Sequence, residues 1–412
     1  MQSELSHHLT QAYASAAQAA SAEPLMQGFP PALEARVTWH NFMRPPYNRW
    51  AFKNLGRIRP SITVRKGGDR PSPLPAASGS LSGFTFESAT GQQVALEQHL
   101  QATCTDGWLV MKAGQVVAEQ YFHGHQAHKR HIMFSVTKSL IGLLAEGLIL
   151  DGTLNPALPA RHYVPEFDGS AFADASVRQL LDMAVAIDYD EAYDDPTSGA
   201  SQFGYACGLT PAPAGITPSP SLYAYLPGMR KRGEHGGFFH YVTATTEALA
   251  WVMERASGIA CAEQLEALWR GLGCERDGFF IADPWGRSIA GAGFNATLRD
   301  MARYGAMVLA HGQAQGHQLV PAAAIDAVLA GGDPAIYAAN RDFAAWTPGA
   351  TYKSQWYVYP GEALLAVGIH GQWLYVDFAR DVVIVKQSSM PTAEGPLDID
   401  TARLVRALAA SL

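Results

Sequence analysis

The sequence contains little cysteine and lacks long hydrophobic runs. Its four cysteines are widely spread over 412 residues and form no C-x-x-C pair: Cys104, Cys207, Cys261 and Cys274. This spacing provides neither a disulfide framework nor a zinc site, and it favours free thiols in a reducing compartment. No apolar run reaches membrane-spanning length. The Ala-rich residues 12–22 follow no Lys or Arg, so we predict a short helix or disordered leader rather than a signal peptide, and a cytoplasmic protein.

Charge is also sparse, because charged residues make up only 16% of the chain and the net charge is −7. An acidic surface argues against nucleic acid and against a membrane surface as partners. Two hydrolase signatures are absent, the G-x-S-x-G nucleophile elbow and H-E-x-x-H. We predict no cofactor. The oligomeric state is left open, with a homodimer as one alternative.

The most informative stretch is Phe134–Leu140, which opens a strongly apolar helical pattern ending at Asp151-Gly152. Helical residues i and i+3 lie on one face, so Ser135 and Lys138 are expected to point into the same pocket. A serine hydroxyl needs a neighbouring base to become a nucleophile, and a buried lysine can be that base. S-x-x-K also occurs as a helix N-cap followed by a solvated lysine. The apolar helix that follows favours the catalytic interpretation.

Alternating strand patterns lie at two distant places in the chain. Residues 108–111 and 116–121 predict a hairpin, and residues 355–387 predict a four-stranded meander followed by a closing helix over 398–412. Helical patterns fill the region between them. We therefore predict an α+β (α/β) fold in which helices flank one antiparallel sheet built from both ends of the chain, with an inserted all-helical domain.

These patterns divide the chain into four parts. Residues 1–40 are predicted to be a loosely attached leader, and residues 41–52 an extended aromatic strap. Residues 41–155 and 346–412 form the two parts of the α/β domain, and residues 156–345 form the mostly helical domain. Within the helical domain, residues 194–237 are rich in Pro, Gly and Ser, which is typical of an active-site loop.

Four histidines occur within nine residues: His123, His125, His128 and His131. Imidazole is a common metal ligand, but no carboxylate or cysteine completes a familiar spacing here. We predict no metal site, and the sequence does not settle whether this cluster binds a metal.

Two further stretches complete the pattern. Tyr241 begins Tyr-Val-Thr after the long loop, and Gly368-Ile369-His370-Gly371 ends a predicted strand. With Ser135-Val-Thr-Lys138, these stretches follow the order of the serine β-lactamase and penicillin-binding-protein superfamily of class C type. The chain more closely resembles the 6-aminohexanoate-dimer hydrolases from about residue 41 onward. Stretches that carry this resemblance include residues 45–52, 163–166, 187–196, 368–372 and 385–389.

The resemblance implies a β-lactamase/transpeptidase-like fold and a serine hydrolase acting on small amides or esters. It implies that Ser135 is acylated, that Lys138 takes its proton and that Tyr241 passes a proton to the leaving group. The backbone N–H groups of Ser135 and Ile369 are expected to form the oxyanion hole. Substrate-binding positions implied by the resemblance are Tyr193, Gly368 and His370.

The sequence departs from the family pattern at three places. The resemblance therefore implies more about the mechanism than about the substrate. The K-T-G lysine is replaced by the run Ala366-Val367-Gly368, so β-lactamase activity should be weak. The superfamily's Y-x-N is Tyr-Val-Thr here, and no acidic residue between Gln202 and Tyr205 could hold a substrate ammonium group. A carboxylesterase, a peptidase of D-amino-acid substrates and a catalytically silent binding module are the alternatives.

Overall fold

The structure is a computed structural model that describes residues 8–14, 25–77, 81–192 and 195–412. Its α-helices are residues 8–14, Asn48–Ala51, Leu96–Ala102, Thr137–Leu150, Ala160–Tyr163, Val177–Leu181, Gly199–Ala206, Leu222–Tyr225, Thr243–Ser257, Cys261–Gly271, Leu298–Leu309, Ala322–Leu329, Pro334–Ala338, Arg341–Trp346 and Pro396–Ser411. Short 3-10 helices are Leu33–Ala35, Leu55–Arg57, Phe134–Val136, Pro165–Phe167 and Leu226–Gly228.

The principal sheet has seven antiparallel strands and joins the two distant parts of the chain. Residues of the predicted hairpin lie at one edge, and the strand Val382–Ser388 pairs with the strand Thr105–Lys112. This arrangement confirms the predicted fold. The strands lie in the order Thr351–Lys353, Trp356–Tyr359, Ala363–Gly368, Gln372–Asp377, Val382–Ser388, Thr105–Lys112, Gln115–Tyr121.

A second, four-stranded sheet delivers the chain to the predicted nucleophile. Its strands lie in the order Ser61–Val64, Gly278–Ile281, Phe294–Ala296, His131–Ile132. The last of these strands ends three residues before Ser135. Two-stranded pairs are Thr85–Glu87 with Gln93–Ala95 and Gln313–Ala314 with His317–Gln318.

The helix Thr137–Leu150 lies at the centre of the molecule. Leu140, Ile141 and Leu143 are fully buried, as the apolar pattern predicts. A Cβ on Gly142 would lie only 1.9 Å from the carbonyl oxygen of Ser354, so the glycine allows the sheet-side backbone to approach the helix. Burial of this kind stabilises each large aliphatic side chain by about 1.5–3 kcal/mol. The nucleophile therefore begins a rigid buried element.

Three stretches differ from the local predictions, although the short helix that was one alternative for residues 12–22 agrees with helix at residues 12–14. Residues 8–14 form a helix in which Leu9 is buried and the Tyr13 hydroxyl bonds to Asp400, so this part of the leader is attached to the fold. The predicted extended strap contains the helix Asn48–Ala51, because the buried Asn48 amide donates to the carbonyl of Met390 and draws the chain inward. The long loop contains the helix Gly199–Ala206, which the side chain of Ser198 caps.

Within the described ranges, no helix combines the length and apolarity required to cross a bilayer. All four cysteines are buried free thiols.

Candidate active site

The candidate nucleophile lies on a tight turn between a strand and a helix. Phe134 takes a positive φ of 42°, and the 3-10 helix Phe134–Val136 leads directly into the helix Thr137–Leu150. A non-glycine residue in this region of backbone space carries strain, which packing around it must offset. Phe134 is buried between Phe52 and His370, whose ring centroids lie 5.0 and 5.5 Å away. Packing thus fixes Ser135.

Lys138 lies one turn along the helix, and its Nζ is 2.7 Å from the Ser135 hydroxyl oxygen. The same nitrogen donates to Thr243 Oγ1 at 3.2 Å and to the carbonyl oxygen of Gly291 at 2.8 Å. Burial lowers the pKa of Lys138 to about 8, against the raising influence of the carboxylates Glu191 and Glu247. Such a lysine is partly neutral near neutral pH. Its lone pair can then accept the Ser135 proton while two N–H groups remain bonded.

Tyr241 lies beside the same two residues. Its ring centroid lies 5.1 Å from Lys138 Nζ, and its side chain is close to Ser135. Desolvation by its surroundings raises the pKa of Tyr241 well above the ordinary value. The phenol therefore keeps its proton and can act as an acid. Rings of Phe343 and Tyr357 stack on it with centroids 5.7 and 6.3 Å away.

Residues that the sequence analysis did not single out hold the lysine in place. The buried carboxylate of Glu247 accepts from the backbone N–H groups of Gly291 and Ala290 at 2.7 and 3.2 Å. Arg287 Nη1 lies 3.3 Å from the same carboxylate. Burial raises the pKa of Glu247, and the Arg287 guanidinium opposes that rise. Glu247 sits inside an apolar helical pattern, so the sequence carried no signal for this role.

The turn after the strand Ala363–Gly368 touches the nucleophile turn. A Cβ on Gly368 would lie 2.5 Å from the carbonyl oxygen of Met133 and 3.0 Å from the backbone nitrogen of Ser135. Only glycine allows this approach. The backbone of Ile369 follows immediately, so the two predicted oxyanion-hole residues belong to adjoining turns.

His370 is brought to the site, where it lines one of the cavities at Ser135 but is almost completely buried. Its Nδ1 lies 2.7 Å from the carbonyl oxygen of Met390, and the residue is buried against Phe52. Burial lowers the pKa of this imidazole to about 4, so it is neutral at physiological pH. Its contacts hold the turn that follows Gly368. Tyr193, the remaining predicted substrate-binding residue, lies outside the described residues.

Two cavities meet at Ser135. The first, of about 590 Å³, contains Tyr241 and four carboxylates, and we call it the acidic pocket: Glu191, Asp342, Glu394 and Asp398. The second, of about 660 Å³, lies under the long loop, and we call it the loop pocket; its lining includes Met43, Arg44, Tyr189, Phe203, Leu209 and Thr210. Glu191 and Glu394 line both cavities, and Glu191 Oε1 lies 2.6 Å from the backbone nitrogen of Thr243.

One member of the histidine cluster, His131, takes part in a buried network around Asp106. His131 is buried, and its Nε2 lies 3.2 Å from Asp106 Oδ2, while Asp106 Oδ1 accepts from Lys53 Nζ at 2.6 Å. The Ser389 hydroxyl donates to the same carboxylate. Across the described part of the chain, no group of three or more His, Cys, Asp or Glu residues could hold a metal ion. Asp106 thus ties the strand before the nucleophile to the last strand of the principal sheet.

Comparisons with known proteins identify the family of the chain. Residues 94–409 match the family described as Beta-lactamase. The chain belongs to the β-lactamase family. It is 36% identical to the 6-aminohexanoate-dimer hydrolase of Paenarthrobacter ureafaciens over 366 residues, which cover 88% of this chain and 91% of that protein. This confirms the resemblance drawn from the motifs, and the protein is a hydrolase of this family.

Solved structures of other proteins share the fold. A Bacillus anthracis protein, provisionally described as a 6-aminohexanoate-dimer hydrolase, superposes with a TM-score of 0.83 at 27% identity and covers 92% of this chain and 98% of its own. A family VIII carboxylesterase superposes with a TM-score of 0.52 at 14% identity over 73% of this chain and 91% of its own. At that identity, the second likeness shows the fold alone.

Proposed function

We propose that the protein hydrolyses small linear amides and esters through an acyl-enzyme on Ser135. The observation that carries the proposal is the 2.7 Å contact between Lys138 Nζ and the Ser135 hydroxyl, made by a lysine whose pKa burial lowers to about 8. A nucleophile within hydrogen-bond reach of a partly neutral base is what acyl transfer requires. The 36% identity to a 6-aminohexanoate-dimer hydrolase supports the substrate class.

The reaction has two halves. In the first, Ser135 Oγ attacks the carbonyl carbon while Lys138 takes its proton, and the backbone N–H groups of Ser135 and Ile369 donate to the oxyanion. The bond to the leaving group then breaks as Tyr241 gives its proton to the leaving nitrogen or oxygen, and Lys138 restores that proton. In the second, a water molecule attacks the ester on Ser135 by the same path and releases the carboxylic acid.

The proposal is tested with p-nitrophenyl butyrate and a linear butanoyl amide, using the wild-type protein, Ser135→Ala and Ser139→Ala. Ser139 lies one turn further along the same helix, where its hydroxyl bonds to the carbonyl of Val136, and it serves as the matched control. We expect hydrolysis by the wild type and by Ser139→Ala and none by Ser135→Ala. Mass spectrometry of the quenched wild-type reaction should find a butanoyl group on Ser135.

The outcomes separate the alternatives. Hydrolysis of the ester without the amide would indicate a carboxylesterase, and cleavage confined to D-amino-acid amides would indicate a peptidase. Full activity in Ser135→Ala would overturn the proposal. A protein that turns over no ester or amide and forms no adduct would be the catalytically silent binding module.

A further inference from the structure

The strongest unexplained feature of the site is the unequal charge of the two cavities that meet at the nucleophile. The acidic pocket holds four carboxylates, and its described lining contains no Lys, Arg or His. The loop pocket holds Arg44 and only two carboxylates, Glu191 and Glu394, both of which it shares with the acidic pocket. Neither Asp342 nor Glu394 forms an ion pair within the described residues. Carboxylates left facing a substrate cavity make it a poor place for an anion.

Tyr241 fixes which half of a substrate enters the acidic pocket. It lines this pocket and is not part of the loop-pocket lining. In the proposed mechanism Tyr241 gives its proton to the leaving nitrogen, so that nitrogen must lie beside the phenol. The amine half of an amide therefore extends into the acidic pocket, and the acyl half extends toward the loop pocket.

We propose that the natural substrate is an amide whose leaving amine carries a second, cationic group, held in the acidic pocket by Glu394, Asp398 and Asp342. This inference rests on the proposed function and names its substrate class. The pocket also presents aromatic side chains, Phe343, Trp346 and Tyr357, beside the carboxylates. Aromatic rings combined with carboxylates suit an alkylammonium group, because the rings contact its methylene chain and attract its charge.

The raised pKa values of two carboxylates in the acidic pocket favour the binding of a cation there. Glu394 is exposed at the mouth of the pocket, yet partial desolvation, reinforced by Asp398 and Glu191, raises the pKa of its carboxyl to about 7. Burial likewise raises the pKa of Asp398 to about 6, although the cation of Lys386 opposes the rise. Mutual repulsion of carboxylates is relieved when a cation binds between them. The pocket is thus most stable when occupied by positive charge.

The inference distinguishes this protein from the named substrate of its relative. In a 6-aminohexanoate dimer, the leaving half carries a carboxylate, which would enter the acidic pocket and be repelled. The same repulsion applies to an anionic group on the leaving side of a β-lactam. The acidic pocket therefore accords with the absence of the K-T-G lysine in the run Ala366-Val367-Gly368.

The test uses three amides that share a butanoyl group and differ only in the far end of the amine. These are N-butanoyl-1,6-diaminohexane (cationic), N-butanoylhexylamine (neutral) and N-butanoyl-6-aminohexanoate (anionic). Their affinities for the Ser135→Ala protein are measured by calorimetry, so that no turnover is required. We expect the cationic amide to bind about tenfold or more tightly than the neutral one, and the anionic amide to bind more weakly than both.

Variants of the pocket carboxylates test whether these residues cause the preference for the cationic amide. Glu394→Gln and Asp342→Asn, each in the Ser135→Ala background, should reduce the ratio of cationic to neutral affinity several-fold, and the double variant should reduce it further. Glu263→Gln, on an exposed face of the helix Cys261–Gly271, is the matched control and should keep the ratio. Equal affinity for the three amides, or a ratio unchanged in the double variant, would overturn the inference.

Turnover by the wild type separates this inference from the proposed function. If the wild type cleaves the neutral and cationic amides equally well while Ser135→Ala binds them equally, the hydrolase proposal stands and the cationic substrate is rejected. If Ser135→Ala binds the cationic amide selectively and the wild type cleaves none of the three, the acidic pocket is a cation site and the hydrolase proposal fails.

Discussion

The backbone carbonyl oxygen of Gly291 lies 2.8 Å from Lys138 Nζ, while the N–H of the same glycine donates to Glu247 at 2.7 Å. A single peptide segment thus links the candidate base to a buried carboxylate. A Cβ on Gly291 would lie 2.8 Å from the Thr243 methyl carbon, so no larger residue fits there without displacement. Glu247 acts on the lysine through position and through charge.

The first prediction concerns the charge of Glu247. Its carboxylate raises the pKa of Lys138 against burial, so Glu247→Gln should lower that pKa further. The rising limb of kcat/KM against pH should then move below its wild-type position. Glu254→Gln is the control, because Glu254 also approaches Arg287, at 3.7 Å, but is not among the charges that shift Lys138. A limb that stays in place or moves upward in Glu247→Gln would contradict this role.

The wild-type pH profile itself is the second prediction. The base must be neutral to accept a proton, and the neutral fraction of Lys138 grows as pH rises through about 8. We therefore expect kcat/KM for an uncharged ester to increase about tenfold per pH unit below that value and to level off above it. Lys138→Ala should lose activity by about 10²–10⁴-fold and show no such limb. An activity independent of pH from 6 to 9 would rule out Lys138 as the base.

Tyr241→Phe should affect amides more than activated esters. Phenylalanine keeps the stacking with Phe343 and Tyr357 but cannot give a proton to the leaving group. An amine must be protonated to leave, whereas p-nitrophenolate leaves as an anion. We expect a loss of about 10²–10⁴-fold on the butanoyl amide and a clearly smaller loss on p-nitrophenyl butyrate. Equal losses on both substrates would assign Tyr241 to positioning alone.

The fourth prediction concerns the close contact between the turn that carries Ser135 and the turn that follows Gly368. In Gly368→Ala the new methyl group would press on the carbonyl of Met133 and the nitrogen of Ser135, displacing the oxyanion donors. Loss of one such donor costs about 2.7–4 kcal/mol of barrier, so kcat should fall about 10²–10³-fold. Gly147→Ala is the matched control, since nothing lies within 4 Å of a Cβ there and alanine favours the helix. Normal kcat in Gly368→Ala would show that the turns can separate without consequence.

Asp106→Asn should destabilise the fold. Lys53 and His131 would lose their buried anionic partner, and breaking a buried pair costs about 3–5 kcal/mol. Burial raises the pKa of Asp106, but Lys53 and His131 outweigh burial and hold that pKa well below its usual range. The ionised Asp106 carboxylate therefore stabilises the fold at pH values above its unfolded-state pKa, and this stabilisation is lost as the pH falls. We therefore expect urea titrations to find a large difference in the free energy of unfolding between wild type and variant at pH 7, and a smaller difference at pH 3. Asp326→Asn, at an exposed pair with His311, should change stability by at most about 0.5 kcal/mol.

The sheet and the nucleophile helix could be predicted from the sequence because their signals are local. Strand alternation in residues 108–121 and 355–387 identified the strands, and the i, i+3 spacing placed Ser135 beside Lys138. The helix Gly199–Ala206 escaped prediction because its glycines, serines and alanines resemble loop composition. Its formation depends on the Ser198 cap and on burial of Phe203.

The walls of the candidate site could not be predicted. Glu191, Glu394 and Asp398 come from segments some 200 residues apart, and no periodicity connects them. Gly291 contacts Lys138 through its backbone carbonyl, which leaves no signal in the sequence. Glu247 cannot be told apart from any other polar residue in a helix. Thr243 was noticed only as a departure from Y-x-N, yet its hydroxyl oxygen lies 3.2 Å from Lys138 Nζ. Such contacts are made by tertiary packing.

The strand Val382–Ser388 pairs with the strand Thr105–Lys112, so the principal sheet cannot be completed until nearly the whole chain has been synthesised. The hairpin and the serine are synthesised early, but the sheet against which they pack is missing its centre until more than 250 further residues have emerged. At about 5–20 residues per second, the strand Thr105–Lys112 waits tens of seconds for its second partner strand, although its hairpin partner Gln115–Tyr121 is already present. Chaperone dependence during expression is the expected cost.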